Sequence, residues 1–258
     1  MNSPLRLFCV MLLLLVPIWE QTPAPGENTP IIRGQAQEIY FYPATGTRLD
    51  RKILFAPGDG GWRGFAVVIA QTMASWGYDV YGLNTKRYLM SFTGKTRLKE
   101  TDVMNDFRQL AQWIMRNGSE RITLVGWSEG AGLCVLAAAS PENKKIFNGL
   151  ITIGLTESNV LGWRWIDNLT YITKRDPNEP KFFTADYLPA VSPLPLLMLQ
   201  SSRDEYISPE AGKRLFSVAR EPKRFQLIEA RNHRFDGNTE GFFNALREGL
   251  EWVNKTAR

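Results

Sequence analysis

From residue 36 onward the sequence alternates between two kinds of segment, and this alternation constrains the fold more than any other feature. Short apolar runs rich in β-forming residues are each followed by a longer stretch that is amphipathic at helical spacing. That order predicts an α/β protein, in which a mostly parallel sheet is covered by helices on both faces. The predicted strands are 38–42, 52–56, 78–83, 121–126, 149–153, 194–200 and 224–229. The predicted helices are 65–76, 98–117, 129–139, 209–218 and 239–255, and Asn117-Gly118 is expected to end the second of them.

One segment, 155–194, interrupts this alternation. An insertion of this length after a central strand predicts a cap over the carboxyl edge of the sheet, where open α/β sheets bind their ligands. We therefore expect one folded body, residues 36–258, with a cap at about 156–193. The cap is rich in aromatic side chains without a clear period, namely Trp163, Trp165, Tyr171, Phe182, Phe183 and Tyr187.

A strand, a glycine–serine turn and a helix of small residues follow one another between residues 122 and 139. The turn is the pentapeptide 126–130, which reads G-W-S-E-G. This order is typical of the nucleophile elbow of α/β-hydrolases, where a sharp turn exposes the serine and glycines avoid clashes with neighbouring elements. Ser128 is the predicted nucleophile, and the dipole of the following helix favours negative charge developing beside it.

The partners of such a serine follow it in the chain as an acid and then a histidine. His233, the only histidine, lies between the last predicted strand and the last predicted helix, so we predict that it is the base. The acid should follow the preceding strand, where Asp204 is our choice and Glu205 is the alternative. Asp236, three residues after His233, is expected to cap the last helix.

A glycine-rich loop, 57–64, follows the second predicted strand. Its backbone N–H groups can approach a ligand closely. We predict an oxyanion hole formed by N–H groups of Asp59 or Gly60 in this loop and of Glu129 after the nucleophile. The aromatic neighbours of these two turns, Trp62 and Trp127, are expected to contact the substrate.

The N-terminal residues read as a secretory signal. One arginine precedes an apolar run at 7–19 that is too short to span a bilayer comfortably. We predict a signal peptide or an uncleaved anchor at 1–24, a linker at 25–35, and a periplasmic or envelope location.

The composition limits the partners and cofactors. The 31 Lys and Arg against 26 Asp and Glu favour anionic partners such as phospholipid headgroups. The basic residues are scattered rather than clustered in an arm, which argues against nucleic acid. Once the signal segment with Cys9 is removed, one histidine and one cysteine remain, which excludes a zinc site of the usual ligands, and we expect no metal and no cofactor.

Several of these motifs together resemble the bacterial virulence protein VirJ/AcvB family. The matching stretches are 58–63 (GDGGWR), 84–88 (NTKRY), the elbow around Ser128 and 232–237 (NHRFDG). The resemblance implies an α/β-hydrolase of the bacterial envelope that acts on lysyl-phosphatidylglycerol. The family elbow usually resembles Gly-Tyr-Ser-Phe-Gly, so the tryptophan and glutamate found here bear on the headgroup specificity.

The leading hypothesis is therefore a serine hydrolase that cleaves an ester through an acyl-enzyme, with an aminoacylated phosphatidylglycerol as the suggested substrate. Arg63, Lys86 and Arg87 could meet the lipid phosphate, and the carboxylates of Asp59 and Glu129 could hold the ammonium group. A serine peptidase or acyltransferase that uses the same residues stays open. So does a noncatalytic envelope protein that keeps the fold as a binding module.

Overall fold

A computed structural model describes residues 29–116, 121–169 and 178–257. Three predictions therefore lie outside the described residues: the signal peptide at 1–24, the helix end at Asn117-Gly118 and the aromatic Tyr171 of the cap.

A seven-stranded sheet forms the centre of the protein. Its order is β11-β10-β7-β6-β4-β5-β3, and every pair is parallel except β3 with β5. The α/β class and the mostly parallel sheet are thereby confirmed. The strands are β1 Ile31–Ile32, β2 Gln35–Ala36, β3 Ile39–Tyr42, β4 Arg51–Ala56, β5 Tyr78–Leu83, β6 Ile122–Trp127, β7 Phe147–Ile153, β8 Ser158–Val160, β9 Lys181–Phe183, β10 Leu196–Ser201 and β11 Lys223–Ile228.

Helices cover both faces of this sheet. They are α1 Phe65–Ser75, α2 Thr85–Phe92, α3 Glu100–Met115, α4 Glu129–Ala139, α5 Pro209–Val218 and α6 Thr239–Thr256. Successive strand residues enter opposite cores, as the two-residue period of a strand requires. In β4, for example, Leu54 packs with α3 and α4 in one core, whereas Ile53 and Phe55 pack with α1 and α6 in the other.

Helix α2 was not predicted, because its residues were assigned to a loop. Asn84 caps its N-terminus by accepting a hydrogen bond from the backbone N–H of Arg87 at 3.2 Å. Its apolar residues Tyr88, Leu89 and Phe92 lie on one buried face. The cap residue and this spacing were the signals available in the sequence.

The N-terminal part of the described chain also differs from the prediction. Strands β1 and β2 form an antiparallel hairpin in which Ile32 is buried. The guanidinium of Arg33 lies 3.2 Å from the carboxylate of Asp106 on α3. Residues 31–35 therefore belong to the folded body and not to a linker, because these contacts attach them to α3.

The segment predicted to form the cap, for which we keep that name, contains β8 and β9, which pair antiparallel, and several short 3₁₀ helices. One of these helices is Trp165–Leu169. Within the part of the chain that the structure describes, no helix combines the length and the apolar character needed to cross a membrane.

Candidate active site

The turn between β6 and α4 has the geometry of a nucleophile elbow. Ser128 has φ 56° and ψ −127°, a conformation that non-glycine residues rarely adopt. Its backbone N–H donates to the carbonyl oxygen of Ile153 at 2.9 Å, and its own carbonyl oxygen accepts from the N–H of Ala131 at 2.8 Å. These bonds to the neighbouring strand and to α4 hold the strained serine at the end of β6.

Both glycines of the pentapeptide are required by close backbone approach. A Cβ atom on Gly126 would lie 2.5 Å from the Cα atom of Ala131, and one on Gly130 would collide with the carbonyl oxygens of Ala56 and Pro57. The physical reason predicted for the G-x-S-x-G spacing therefore applies at this turn.

Two carboxylates contact His233, each at a different atom. Asp204 Oδ2 lies 2.7 Å from the imidazole Nδ1, whereas Glu205 Oε2 accepts the backbone N–H of His233 at 2.8 Å. Because a carboxylate can only accept, Nδ1 carries the proton and Nε2 is the basic nitrogen. Of the two acids left open by the sequence, it is Asp204 that faces the ring.

The carboxylate of Asp204 is held by several further donors. Its Oδ1 accepts from the backbone N–H groups of Tyr206 at 2.9 Å and Ile207 at 3.3 Å, and its Oδ2 accepts from the amide of Gln200 at 3.1 Å. The side chain is fully buried. These bonds fix the orientation of the carboxylate and compensate the burial of its charge.

The imidazole of His233 is enclosed by its neighbours. Trp127 stacks on it with ring centroids 5.7 Å apart, and Tyr206 packs edge-on at 5.1 Å. Gly154, which follows β7 with φ +58°, leaves space for the ring, since a Cβ there would lie 2.8 Å from Nδ1. Sequence reasoning missed Tyr206 and Gly154; a glycine directly after the apolar strand β7 was the available signal.

The second ring nitrogen, Nε2, is buried and has no hydrogen-bond partner among the described residues. The hydrogen bond that we predicted between Ser128 and His233 is therefore not formed in this structure. The stacked Trp127 nevertheless precedes Ser128 directly in the chain, so the imidazole lies beside the elbow.

The glycine-rich loop lies against the serine. A Cβ on Gly58 would lie 3.0 Å from the Cβ atom and 3.4 Å from the Oγ atom of Ser128. The loop residues Asp59 and Gly60 follow directly, and Glu129 begins α4 on the other side of the serine. The oxyanion role of these three N–H groups stays a prediction.

The side chain of Glu129 connects the elbow to the cap. Its Oε1 accepts a hydrogen bond from the backbone N–H of Val160 in β8 at 2.6 Å. This bond occupies one oxygen of a carboxylate that we expected to hold a substrate ammonium group.

Of the three predicted cationic residues, Lys86 has the closest connection to the site. The pKa of Lys86 is lowered, mainly by burial and also by the charge of Arg63, although the carboxylate of Asp59 acts to raise it. Its ammonium nitrogen lies 5.3 Å from the ring centroid of Trp163 in the cap. Arg87 instead points outward: its side chain is 70% exposed, and its Nε lies 3.4 Å from Glu38 Oε2.

Both tryptophans predicted to contact the substrate pack within the protein. Trp62 stacks on Tyr40 at 4.8 Å and covers Gly82 of β5, where any side chain would overlap its ring. Trp127 lies between His233 and Phe65. These contacts make Trp62 an anchor of the glycine-rich loop and Trp127 a support for the imidazole.

The last helix is capped by Asn238 and not by Asp236. The side chain of Asn238 accepts the N–H of Gly241 at 3.1 Å, whereas Asp236 accepts from the amide of Asn232 at 2.7 Å. Asp236 therefore orders the loop that carries His233, because Asn232 directly precedes the histidine.

The sequence matches two kinds of known protein over parts of its length. Residues 50–156 match the family model described as bacterial virulence protein (VirJ), which is less than half of the chain and includes the glycine-rich loop and the elbow. A polyketide transferase from Stachybotrys chlorohalonatus is 32% identical over 68 residues, and this segment spans 26% of the chain and 23% of that relative.

Solved structures match over most of the chain. Est1E from Butyrivibrio proteoclasticus, with bound ferulic acid, has a TM-score of 0.65 at 12% identity and covers 88% of this chain and 99% of its own. The esterase domain of a Rhodothermus marinus protein has a TM-score of 0.60 at 18% identity, with coverage of 88% and 96%. An α/β serine hydrolase without a lid from Xanthomonas campestris has a TM-score of 0.59 at 16% identity, with coverage of 86% and 92%. At these identities the likeness bears on the fold alone.

Proposed function

The chain has the α/β-hydrolase fold and is VirJ-like over residues 50–156, and on this premise we propose that it is a serine hydrolase that cleaves carboxylic esters. Ser128 is the nucleophile, His233 the base and Asp204 the acid. The observation that carries the proposal is the 2.7 Å contact between Asp204 and Nδ1 of His233 beside a strained serine.

The reaction takes two steps. In the first, Ser128 Oγ attacks the ester carbonyl carbon while Nε2 of His233 accepts the hydroxyl proton; the intermediate then expels the alcohol, which takes that proton. In the second, water attacks the acyl-enzyme with His233 again as the base, and the acid is released. The free serine returns unchanged.

Two features of the site lower the barrier. Asp204 fixes the protonated Nδ1 and stabilises the imidazolium, because its carboxylate is already oriented by its backbone and amide donors. The N–H groups of Glu129 and of Asp59 or Gly60 stabilise the negative oxygen of the tetrahedral intermediate. The first turn of α4 adds its dipole at the same point.

For the substrate we propose an aminoacylated phosphatidylglycerol in the envelope. Charges of both signs lie close to the triad: the negative charge of Asp59 acts to raise the pKa of both Lys86 and Tyr206, and Tyr206 contacts the imidazole. In this account Asp59 attracts the aminoacyl ammonium group, and Lys86 with Arg63 attracts the lipid phosphate. The location rests on the secretory pattern of residues 1–24.

The test of the reaction uses the purified full chain with lysyl-phosphatidylglycerol, short uncharged esters, peptides and an acceptor alcohol. Ser128→Ala should abolish turnover, whereas Ser217→Ala, on the exposed side of α5, should leave it unchanged. Peptide cleavage alone, or acyl transfer to the alcohol without hydrolysis, would replace the ester hydrolase with one of the other serine enzymes. A lack of turnover on all substrates would favour the binding module.

The test of the headgroup compares two substrates in one variant. Asp59→Asn should slow cleavage of lysyl-phosphatidylglycerol much more than cleavage of an uncharged ester, because only the first carries an ammonium group. An equal loss on both substrates would remove the headgroup role and leave the hydrolase assignment intact.

A further inference from the structure

A cavity lies between the cap segment and the loop that joins α2 to α3. It has a volume of about 540 Å³ and is lined by the loop 93–98 between α2 and α3 and by Leu161, Arg164 and residues 178–180 of the cap. Three cationic side chains line it: Lys95, Arg97 and Arg164. This volume suits a lipid headgroup, and the predicted triad uses none of these residues.

Over the lining residues that the structure describes, the charges in this cavity do not cancel. Its carboxylate, Glu179, is 6% exposed and lies 2.7 Å from Nε of Arg164, so these two neutralise each other. The ammonium group of Lys95 donates to the neutral amide oxygen of Gln35 at 3.2 Å. Among the described residues that line the cavity, Lys95 and Arg97 therefore leave two positive charges for an anionic ligand.

An exposed apolar face adjoins the cavity. The 3₁₀ helix Trp165–Leu169 follows Arg164 directly, and its residues Trp165, Ile166 and Leu169 are 74%, 46% and 48% exposed. Asp167 on the same helix is buried and accepts the N–H of Arg164 at 2.6 Å. The helix thus turns Asp167 inward and its large apolar residues outward.

This face is connected to the candidate active site by short steps. Trp163 donates its backbone N–H to Thr93 Oγ1 at the cavity wall at 2.8 Å. The ring of the same tryptophan lies under the ammonium group of Lys86. Val160, a few residues earlier, is bonded to Glu129 next to the nucleophile. These contacts link the apolar face to residues beside the candidate nucleophile.

We propose that these six residues, Lys95, Arg97, Arg164, Trp165, Ile166 and Leu169, form a surface that binds an anionic phospholipid bilayer. We call this set the cap surface. The cavity receives a headgroup phosphate, and the apolar helix enters the boundary between headgroups and acyl chains. At that boundary the lipid phosphates lie above the acyl chains. The cations can therefore pair with phosphates while the neighbouring Trp, Ile and Leu side chains contact the acyl chains. The inference is independent of catalysis, since a protein without turnover could still bind the bilayer.

The test measures local insertion at the cap surface. A Leu169→Cys variant, made with Cys9→Ser in a Ser128→Ala background, is labelled with an environment-sensitive fluorophore; Cys134 is buried and stays unlabelled. Leu227→Cys, on β11 and similarly exposed at 40%, is the matched control. Phosphatidylcholine vesicles with and without phosphatidylglycerol are the probes, and the local signal separates binding at the cap from any tethering by residues 7–19.

We expect a blue shift at position 169 with phosphatidylglycerol vesicles and none at position 227. Lys95→Gln with Arg97→Gln should weaken the binding roughly 10–30-fold, because each cation near an anionic surface contributes about a factor of five. Arg247→Gln with Arg203→Gln, which neutralises two exposed arginines outside the cap, should change it little. High salt should act like the loss of the two cap cations.

Three results with vesicles would overturn the proposal. They are no spectral change at position 169, an equal change at position 227, or binding that is insensitive to Lys95 and Arg97. An effect of free inorganic phosphate on the label without an effect of vesicles would assign the cavity to a soluble anion and also contradict it. If vesicles bind as expected but no ester is cleaved by the unmodified protein, the proposed function fails and the cap surface stands.

Discussion

Two neighbouring carboxylates contact the same histidine and differ in what they hold. Asp204 faces the imidazole Nδ1, and Glu205 accepts the backbone N–H of His233. The first contact acts on the tautomer and charge of the ring, whereas the second acts on the position of the loop. Mutations of the two residues are therefore expected to lower the activity by different amounts.

Asp204→Asn should lower kcat roughly 10³–10⁴-fold, because an amide can donate to Nδ1 and favour the wrong tautomer. Glu205→Gln should have a small effect, since its amide oxygen can still accept the backbone N–H. Steady-state kinetics on a short ester, with circular dichroism as a check of folding, measures both. Equal losses in the two variants would contradict the separate roles.

The sequence predicted the Asp204–His233 contact but not the residues that surround it. Asp204 and His233 each follow a strand, and parallel strands end at the same edge of the sheet, so their approach follows from the order of elements. The contacts of Tyr206, Gly154 and Trp127 with the imidazole depend on how the backbone and side chains are oriented at three strand ends. The amino-acid sequence does not state these orientations directly.

At the scale of elements, the elbow depends on how closely α4 approaches the loop after β4. The backbone of Gly130 lies against the carbonyl oxygens of Ala56 and Pro57, whereas a Cβ on Gly60 would have no heavy atom within 4 Å. These two glycines form a matched pair, because the same substitution is expected to be disruptive at one and harmless at the other.

Gly130→Ala should destabilise the fold by about 3 kcal/mol and lower Tm by roughly 6–12 °C, because the helix has to move away from the sheet. Gly60→Ala should leave Tm nearly unchanged and keep the backbone N–H assigned to the oxyanion hole. Thermal unfolding compares the Tm values of the two variants with that of the unmodified protein. A normal Tm for Gly130→Ala would mean that α4 does not lie this close to the loop.

The strands and long helices were predicted nearly to their ends, because burial on both faces of a parallel sheet gives strong apolar runs. Helix α2 was missed because it has only eight residues and carries polar side chains in its first turn. The hairpin of β1 and β2 was missed because its strands have two residues each. Its attachment depends on Arg33 and Asp106, which are 73 residues apart.

At the scale of the whole molecule, the pair of Arg33 and Asp106 includes a carboxyl group in the interior, because the side chain of Asp106 is buried. Burial raises the pKa of Asp106 to about 6, although the hydroxyl of Tyr88 and the charge of Arg33 lower it. Between about pH 4 and pH 6 the folded chain therefore holds a proton that the unfolded chain has released. The contribution of this group to stability falls as the pH rises through that window.

We compare the free energy of unfolding of the unmodified protein with that of Asp106→Asn. The first value minus the second should fall between about pH 4 and pH 7, because only the unmodified protein has to ionise a buried carboxyl group. Asp50→Asn, at a side chain that is 76% exposed, is the control and should give a flatter difference. Urea unfolding over this pH range measures both differences. A difference that rises with pH would contradict a raised pKa of Asp106 in the folded protein.

In the proposed mechanism, Ser128 is a nucleophile that His233 activates. The most direct measurement treats the folded chain with a fluorophosphonate, which reacts covalently with activated serines, and maps the adduct by mass spectrometry. We expect one adduct on the peptide that contains Ser128, lost in Ser128→Ala and strongly slowed in His233→Ala, with Ser217→Ala labelled normally. An adduct that persists in Ser128→Ala, or no adduct on the unmodified folded chain, would contradict this role of Ser128.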